Sequence, residues 1–139
     1  MTYTIARAAD PHAAHQPILD ALLAFNAETA GDPQEKVFAL TISAPGTERV
    51  AGGLWAMSLW GSFYIALVIV PQAARGRGLG LELMRQAEHQ ARAWECHNIW
   101  LDTFAFQARP FYEGLGYSLF GELTGPPPAF PRYFMRKVL

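Results

Sequence analysis

The pattern of apolar and polar positions predicts alternating strands and helices along the chain. Thr2–Ala8 has the alternation of a short strand. The pair Asp10-Pro11 then opens a helical pattern, with an aspartate that can cap the helix and a proline in the first turn. This amphipathic helix is predicted to end near Gly31-Asp32-Pro33, and its apolar positions are Ile18, Leu19, Leu22, Leu23 and Phe25.

Three strands follow in the pattern, at Val37–Ser43, Val50–Trp60 and Phe63–Val70. The turn Ala44-Pro45-Gly46 separates the first two. Gly61-Ser62 is predicted to be a two-residue hairpin loop, in which glycine supplies the positive φ that such turns require. The third strand is an eight-residue apolar run, which is typical of a strand covered on both faces.

After Pro71 the apolar spacing becomes helical, and Leu79–Trp94 is predicted to be a core-facing helix. The remaining predicted elements are a strand at Asn98–Phe104, a short helix at Ala108–Leu115 stopped by Gly116, and strands at Tyr117–Glu122 and Tyr133–Val138. This order predicts an α/β chain of the α+β kind: a mixed sheet of about six to seven strands flanked by helices. No repeat or linker divides it, so one domain over residues 1–139 is expected.

Composition and charge narrow the classes of protein. The chain has 139 residues, of which 51% are hydrophobic and 17% charged, with a formal net charge of −1. This composition excludes intrinsic disorder and argues against a nucleic-acid binder that relies on a basic field. Residues 1–70 carry three basic and six acidic side chains, whereas residues 71–139 carry eight and six. The positive second half suits an anionic ligand.

Two features bear on location. The stretch from Val50 to Ala74 has no charged residue and is long enough to span a bilayer, but its glycines, serines and β-branched residues favour paired strands, so no membrane association is expected. The single cysteine, Cys96, cannot form an internal disulfide, and the first residues lack the apolar core of a secretory signal. A cytoplasmic protein is therefore expected. The four histidines have no ligand spacing, so no metal is expected.

The most informative motif joins an apolar strand to a helix through Arg75-Gly76-Arg77-Gly78-Leu79-Gly80. Glycines at such a junction let the backbone approach a ligand, and the first amides of the helix point outward to bind an anion. The dinucleotide fingerprint fails because Leu81 stands where its third glycine belongs, and the phosphate loop of nucleotide hydrolases fails because Gly-Lys-Ser/Thr is absent. What remains is Arg75-x-x-Gly78-x-Gly80.

That loop resembles the acetyl-CoA pyrophosphate loop of the GNAT family of N-acetyltransferases. The segment LDTFAFQARPFYEGLGY resembles the next strand and helix of the family, with Ala108, Tyr112 and Gly116-Tyr117 at the matching positions. The predicted strand order also matches. The resemblance covers the whole chain, most specifically Phe63–Phe120, and implies the acyl-CoA N-acyltransferase fold.

The resemblance implies which residues bind acetyl-CoA, the cosubstrate of the family. Val68 and Val70 would pair through their main chain with the pantetheine arm. The amides from Gly76 to Gly80, including Leu79, would hold the pyrophosphate, with Arg75 and Arg77 adding charge. An amide near Leu67 or Val68 would stabilise the oxyanion.

The implied reaction is direct attack of an amine on the thioester, with Tyr112 as the general acid that protonates the leaving thiolate. The sequence departs from the family in its base, because Ala66 stands where many members carry Glu and Ala105 where many carry Asn. An amine with a pKa of about 10.4 is neutral in only about one molecule in 2,500 at pH 7, so a proton acceptor is expected. The weak candidates for it are Asp102, Glu28 and Asp32.

The acceptor side of the site is predicted from aromatic residues, and the predicted acceptor is a small-molecule primary amine. Trp60 and Phe104 are the candidate acceptor-binding residues, out of a set that also contains Phe25, Trp55, Phe106 and Phe130. Two other functions stay open: an acyl-CoA-binding module without transferase activity, motivated by the missing Glu and Asn, and transfer to oxygen or of a longer acyl group. Analogy with the family also implies a homodimer, for which Arg132–Leu139 would supply an edge strand.

Overall fold

Strand pairing in the computed structural model begins at Lys36, not at the N-terminus. The structure describes all 139 residues, which group into two compact units, residues 1–33 and residues 34–139. The predicted strand at Thr2–Ala8 is wrong: these residues form no strand, and Tyr3 and Ile5 are fully exposed. Alternating apolar positions favour extended backbone, but a strand also needs a second strand to complete its hydrogen-bond ladder, and the pattern specifies no such partner.

The first unit contains one helix, α1, at Pro11–Ala30, as predicted. The Asp10 side chain accepts hydrogen bonds from the amides of His12 and Ala13 at 3.0 and 3.2 Å, which satisfies amides that lack a partner within the helix. Gly31, with φ of 79°, ends the helix. None of its residues is buried.

The second unit is a mixed six-stranded sheet flanked by helices, which confirms the predicted fold class. The strands are β1 (Lys36–Ser43), β2 (Val50–Leu59), β3 (Ser62–Ile69), β4 (Asn98–Phe104), β5 (Ser118–Leu123) and β6 (Arg132–Val138), in the spatial order β1-β2-β3-β4-β6-β5. The helices are α2 (Leu79–Ala93) and α3 (Arg109–Gly114), and a 3-10 turn lies at Gln72–Ala74. Only β3 and β4 are parallel; the other neighbours are antiparallel.

The uncharged stretch after Val50 forms the β2–β3 hairpin. Its two-residue turn is Trp60-Gly61, one residue earlier than predicted, and both residues have positive φ, 46° and 75°. Leu59 pairs with Ser62 across the turn. No helix in the molecule combines the length and the apolar character needed to cross a bilayer.

The parallel pair of strands separates part-way along its length. The register between β3 and β4 runs from Ser62↔Asn98 to Ile65↔Leu101 and stops there. On the other side of β3 the register with β2 shifts at the same level, because Ala56 pairs with Ile65 and Trp55 with Leu67, leaving Ala66 as an extra residue. Such a bulge bends a strand and re-aims its backbone. The two strands therefore diverge from Ala66 onward, and the gap between them is the site described below.

The core lies between the sheet and the two helices. Its largest fully buried side chains are Phe63, Met84, Ile99, Leu101 and Met135. The prediction that β3 is covered on both faces is wrong for its second half: Phe63 and Ile65 are buried, but Leu67 and Ile69 are 67% and 54% exposed. An apolar run reports hydrophobicity only, and cannot show where a strand leaves its neighbour.

We expect Ile99→Ala to lower the free energy of unfolding by about 2–5 kcal/mol, because it removes three carbons from a site with no exposed surface. The matched control is Val138→Ala on the neighbouring strand, where the side chain is 75% exposed, and this change should stay within about 0.5 kcal/mol. Urea unfolding followed by circular dichroism measures both. Equal effects in the two variants would contradict the placement of the core.

Candidate active site

A cavity of about 740 Å³ opens where β3 and β4 diverge. Its walls come from the second half of β3, the end of β4, the start of α2 and α3. The cavity brings together six of the residues predicted to form the site: Val68, Val70, Arg75, Gly80, Phe104 and Tyr112. Its volume is in the range of small-molecule sites.

The glycine loop lies at one end of this cavity. Gly76 and Gly78 have φ of 76° and 77°, a left-handed conformation that side chains other than glycine rarely adopt, and no atom lies within 4 Å of a Cβ built on either. Gly78 caps α2, so the first amides of the helix face outward from the loop. Gly76, Arg77, Gly78 and Leu79 do not line the cavity themselves, but follow Arg75 and precede Gly80, which do.

Arg75 is held against the end of β3. Its Nε donates to the carbonyl oxygen of Val70 at 3.2 Å. The side chain therefore carries its charge along the cavity wall beside the glycine loop. Open backbone, outward amides and a fixed guanidinium fit a ligand that carries phosphate groups.

Tyr112 lies on α3, which is a helix of six residues that Pro110 helps to start. Its ring is 5% exposed and packs edge-on against Phe111 and Tyr117, with centroids 5.2 and 6.1 Å away. Burial alone raises the pKa of Tyr112 to about 12. Tyr112 is one of the residues that line the cavity. The phenol is protonated at neutral pH and can donate a proton there.

The raised pKa of Tyr112 makes stability depend on alkaline pH. Between pH 10 and about 12 the tyrosine of the unfolded chain loses its proton while the buried one keeps it, so this residue stabilises the fold below pH 10 and the contribution is lost as pH rises toward 12. We expect the free energy of unfolding to fall less steeply over this range in Tyr112→Phe than in the wild type. Tyr3→Phe, at a fully exposed ring, should leave the slope unchanged, and equal slopes in all three proteins would contradict the burial of Tyr112.

Asp102 lies on β4, one residue past the last pair with β3, and lines the cavity. Its Oδ1 accepts a hydrogen bond from the Tyr64 hydroxyl at 3.1 Å. Its Oδ2 lies 2.7 Å from both Nε and Nη2 of Arg132. Burial and the neighbouring carboxylate raise the pKa of Tyr64, so this phenol remains a donor. The carboxylate is thus fixed from two sides.

The aromatic residues predicted for the acceptor side divide into two groups. Phe104 and Phe106 line the cavity, and Phe130 contacts Phe106 edge-on with centroids 4.8 Å apart. Trp60 does not reach this cavity, because it lies in the turn that begins β3 while the cavity adjoins the end of that strand. Trp55 lies on β2 and Phe25 on α1. Two of the candidate proton acceptors, Glu28 and Asp32, belong to the compact unit of residues 1–33, as Phe25 does.

The two alanines at the expected polar positions lie near the same cavity. Ala66 lines it, and Ala105 follows β4, with its amide bonded to the carbonyl of Pro131 at 2.9 Å. Gln107 lines the cavity as well, and its Oε1 accepts from the amide of Phe104 at 2.7 Å. This side chain ties the end of β4 to the start of α3.

Sequence reasoning missed Tyr64, Arg132 and Phe111. Tyr64 on β3 and Arg132 on β6 both contact Asp102, and these contacts depend on a strand register that no local motif encodes. Phe111 packs against Gly80, whose Cβ would lie 3.5 Å from the ring. The adjacency of Phe111 to Tyr112 was the one signal that could have suggested it.

A model of the acetyltransferase (GNAT) family matches residues 2–117. The chain belongs to the GNAT family. It is an acetyltransferase of a family that uses acetyl-CoA, and the resemblance carried by the glycine loop and Tyr112 is confirmed at the level of the family.

Two relatives have similar sequences. The chain is 32% identical over 126 residues to the acetyltransferase Atu2258 of Agrobacterium fabrum, covering 91% of this chain and 90% of that protein. It is 35% identical over 92 residues to the blasticidin-S acetyltransferase of Streptomyces morookaense, covering 66% and 68%. Both matches agree with the GNAT assignment.

Solved structures share the fold. A crystal structure from Agrobacterium tumefaciens superposes with a TM-score of 0.87 at 29% identity and full coverage of both chains. An acetyltransferase from Bacillus cereus superposes with a TM-score of 0.81 at 22% identity, over 98% of each chain. The three chains therefore share one fold.

Proposed function

We propose that this GNAT protein transfers the acetyl group of acetyl-CoA to a primary amine of a small molecule. One observation carries the proposal: the cavity places Val68, Val70, Gly80 and Tyr112 on its walls. The glycine loop fits the phosphates, and the diverging strand β3 offers backbone groups to the pantetheine arm. In this proposal residues 1–139 act as one catalytic domain, since the family match spans both compact units.

The proposed reaction is direct transfer. The neutral amine attacks the thioester carbonyl, a carbon–nitrogen bond forms and the carbon–sulfur bond breaks. The backbone near Leu67 and Val68, next to the bulge at Ala66, would stabilise the oxyanion. Tyr112 would give its proton to the leaving thiolate and regain one from solvent, and the proton lost by the amine passes to solvent, so that each cycle ends with one acetylated amine, one CoA thiol and a protonated Tyr112.

The substrate class is supported by the name of one relative and by the cavity. The Streptomyces relative acetylates blasticidin-S, a small molecule. The cavity of this chain is lined mainly by apolar residues, with Asp102 and Arg75 as its charged side chains. Such walls favour a compact acceptor. The cytoplasmic location and the homodimer stay predictions. The edge strand predicted at Arg132–Leu139 is wrong, because β6 pairs with β4 on one side and with β5 on the other, and the sheet edges are β1 and β5.

The experiment is release of free thiol from acetyl-CoA by the intact chain, measured across a panel of small amines that includes blasticidin S. We expect release with at least one amine, in proportion to enzyme concentration. Longer acyl-CoA donors and alcohol acceptors, assayed in parallel, test transfer of other acyl groups and transfer to oxygen.

The alternative is a module that binds acyl-CoA without transferring the group. Ala66 and Ala105 favour it, because they remove the carboxylate and amide that many family members carry there. A pure binder would bind acetyl-CoA in calorimetry and release no thiol with any amine. That pair of results would replace the proposed activity.

A further inference from the structure

The cavity has opposite charges at its two ends. Arg75 is fixed at Val70, where β3 ends. Asp102 on β4 and Ala66 on β3 each come directly after the last paired residues of the two strands, and Asp102 is the one carboxylate on the cavity wall. Along β3, Ala66 and Val70 are four residues of extended chain apart, a distance of about 13 Å. The Arg75 end suits an anion. At the other end Asp102 is already paired with Arg132, so a cation can bind there only if the carboxylate has an acceptor position to spare.

The carboxylate of Asp102 keeps room for a further donor. A carboxylate can accept about four hydrogen bonds. Tyr64 occupies one position on Oδ1, and both contacts of Arg132 go to Oδ2. Oδ1 therefore retains an acceptor position, in a side chain only 12% exposed. The Arg132 side chain is 38% exposed, and its guanidinium lies over the rings of Phe104 and Phe134, so solvent screens its charge more than that of Asp102.

Flat aromatic surface lies beside this carboxylate. Phe104 and Phe106 stack with centroids 5.7 Å apart and an interplanar angle of 14°, and Phe130 closes the cluster edge-on. Phe106 and Phe130 are 63% and 58% exposed. A backbone hydrogen bond joins the segment that carries Phe106 to the segment that carries Phe130, because the amide of Ala105 donates to the carbonyl oxygen of Pro131. A planar group of a ligand can pack on these rings.

We propose that Asp102 selects a flat, positively charged acceptor by binding its cationic group, while the cluster of Phe104, Phe106 and Phe130 packs against its ring. Tyr64 and Arg132 are positioning residues, which hold the carboxylate toward the cavity. This assignment rests on the proposed function for the identity of the ligand as an acceptor, but the binding site itself does not need turnover.

The test compares two probes of the same shape and different charge. Benzamidine is a planar cation, and benzamide is its neutral counterpart. Calorimetry on the intact chain, without acetyl-CoA, should show that benzamidine binds at least about tenfold more tightly than benzamide. This factor is what a hydrogen bond to a partly buried charged group contributes to affinity. Equal affinity of the wild type for the two probes would overturn the proposal, with no variant needed.

Variants then locate the effect. Asp102→Asn should bring the ratio of the two affinities close to one, and Tyr64→Phe should lower it by a smaller factor because the carboxylate keeps its charge but loses a fixed donor. Glu122→Gln is the matched control: it removes an exposed carboxylate on β5 that does not line the cavity, and the ratio should not change. Phe106→Ala should weaken both probes alike. A ratio that survives Asp102→Asn in a variant with a wild-type circular dichroism spectrum would overturn the assignment.

Failure of this site and failure of the proposed function give different results. Preference for benzamidine without thiol release would support the cation site and contradict the acetyl transfer. Thiol release with the same KM for cationic and neutral ring-bearing amines would support the transfer and contradict the site.

Discussion

Replacing Gly80 with glutamate should abolish binding of acetyl-CoA while leaving the fold intact. A Cβ at this position meets Phe111 and Val70 at 3.5 and 3.8 Å, which are ordinary contacts, and the position has no left-handed φ. Glutamate in the first turn of a helix is also favourable. Its carboxylate, however, would enter the cavity beside the proposed phosphate site. Like charges held together cost several kcal/mol, so we expect an affinity loss of more than about 100-fold in calorimetry.

The control for Gly80→Glu is Gly114→Glu. Gly114 is exposed at the end of α3, has no atom within 4 Å of a built Cβ, and does not line the cavity. This variant should bind acetyl-CoA as the wild type does. Wild-type affinity in a folded Gly80→Glu protein would show that the pyrophosphate does not bind at this loop.

Tyr112→Phe should lower kcat by about 10²–10⁴-fold, the usual range for loss of a general acid. The change removes only the hydroxyl of a residue that lines the cavity, so the packing with Phe111 and Tyr117 is kept and the affinity for acetyl-CoA should change little. Steady-state kinetics and calorimetry on the same preparation separate the two effects.

Tyr117→Phe is the matched control for this change. Tyr117 is equally buried, but its hydroxyl donates to Glu88 at 3.1 Å and the residue does not line the cavity. Its loss should lower stability and preserve kcat in the folded enzyme. If Tyr112→Phe keeps the wild-type kcat, Tyr112 has a structural role and another group protonates the thiolate.

Local patterns predicted the parts of the fold that short-range physics decides. Asp10 and Gly31 bound α1, and Gly78 begins α2, because caps and glycine turns are encoded by the residues that form them. The glycine loop was found for the same reason. The Trp60-Gly61 turn was placed one residue too late, since two positive φ angles in succession are set by the pairing of Leu59 with Ser62.

What the patterns could not predict depends on contacts between distant segments. The strand expected at Thr2–Ala8 has the right alternation but no specified partner. The exposure of Leu67 and Ile69 follows from the point at which β3 leaves β4, and a continuous apolar run does not mark that point.

The candidate site shows the same division. Tyr112 and the glycines were identified from motifs, whereas the fixing of Asp102 by Tyr64 and Arg132 required three strands in register. Trp60 was grouped with Phe104 because both are aromatic and lie in or near segments that were expected to surround the thioester end. The structure separates them: Trp60 lies in the turn before the first residue of β3, whereas Phe104 is the last residue of β4, which runs parallel to β3. Only Phe104 lines the cavity.

The measurement that tests the proposed transfer most directly is the stoichiometry of its two products. The wild-type chain is incubated with acetyl-CoA and the amine panel, free CoA is counted as thiol, and the acetylated amine is identified by mass spectrometry. We expect one acetylated amine for each CoA released, and loss of both products in Gly80→Glu. Binding of acetyl-CoA with neither product formed from any amine would contradict the proposed transfer.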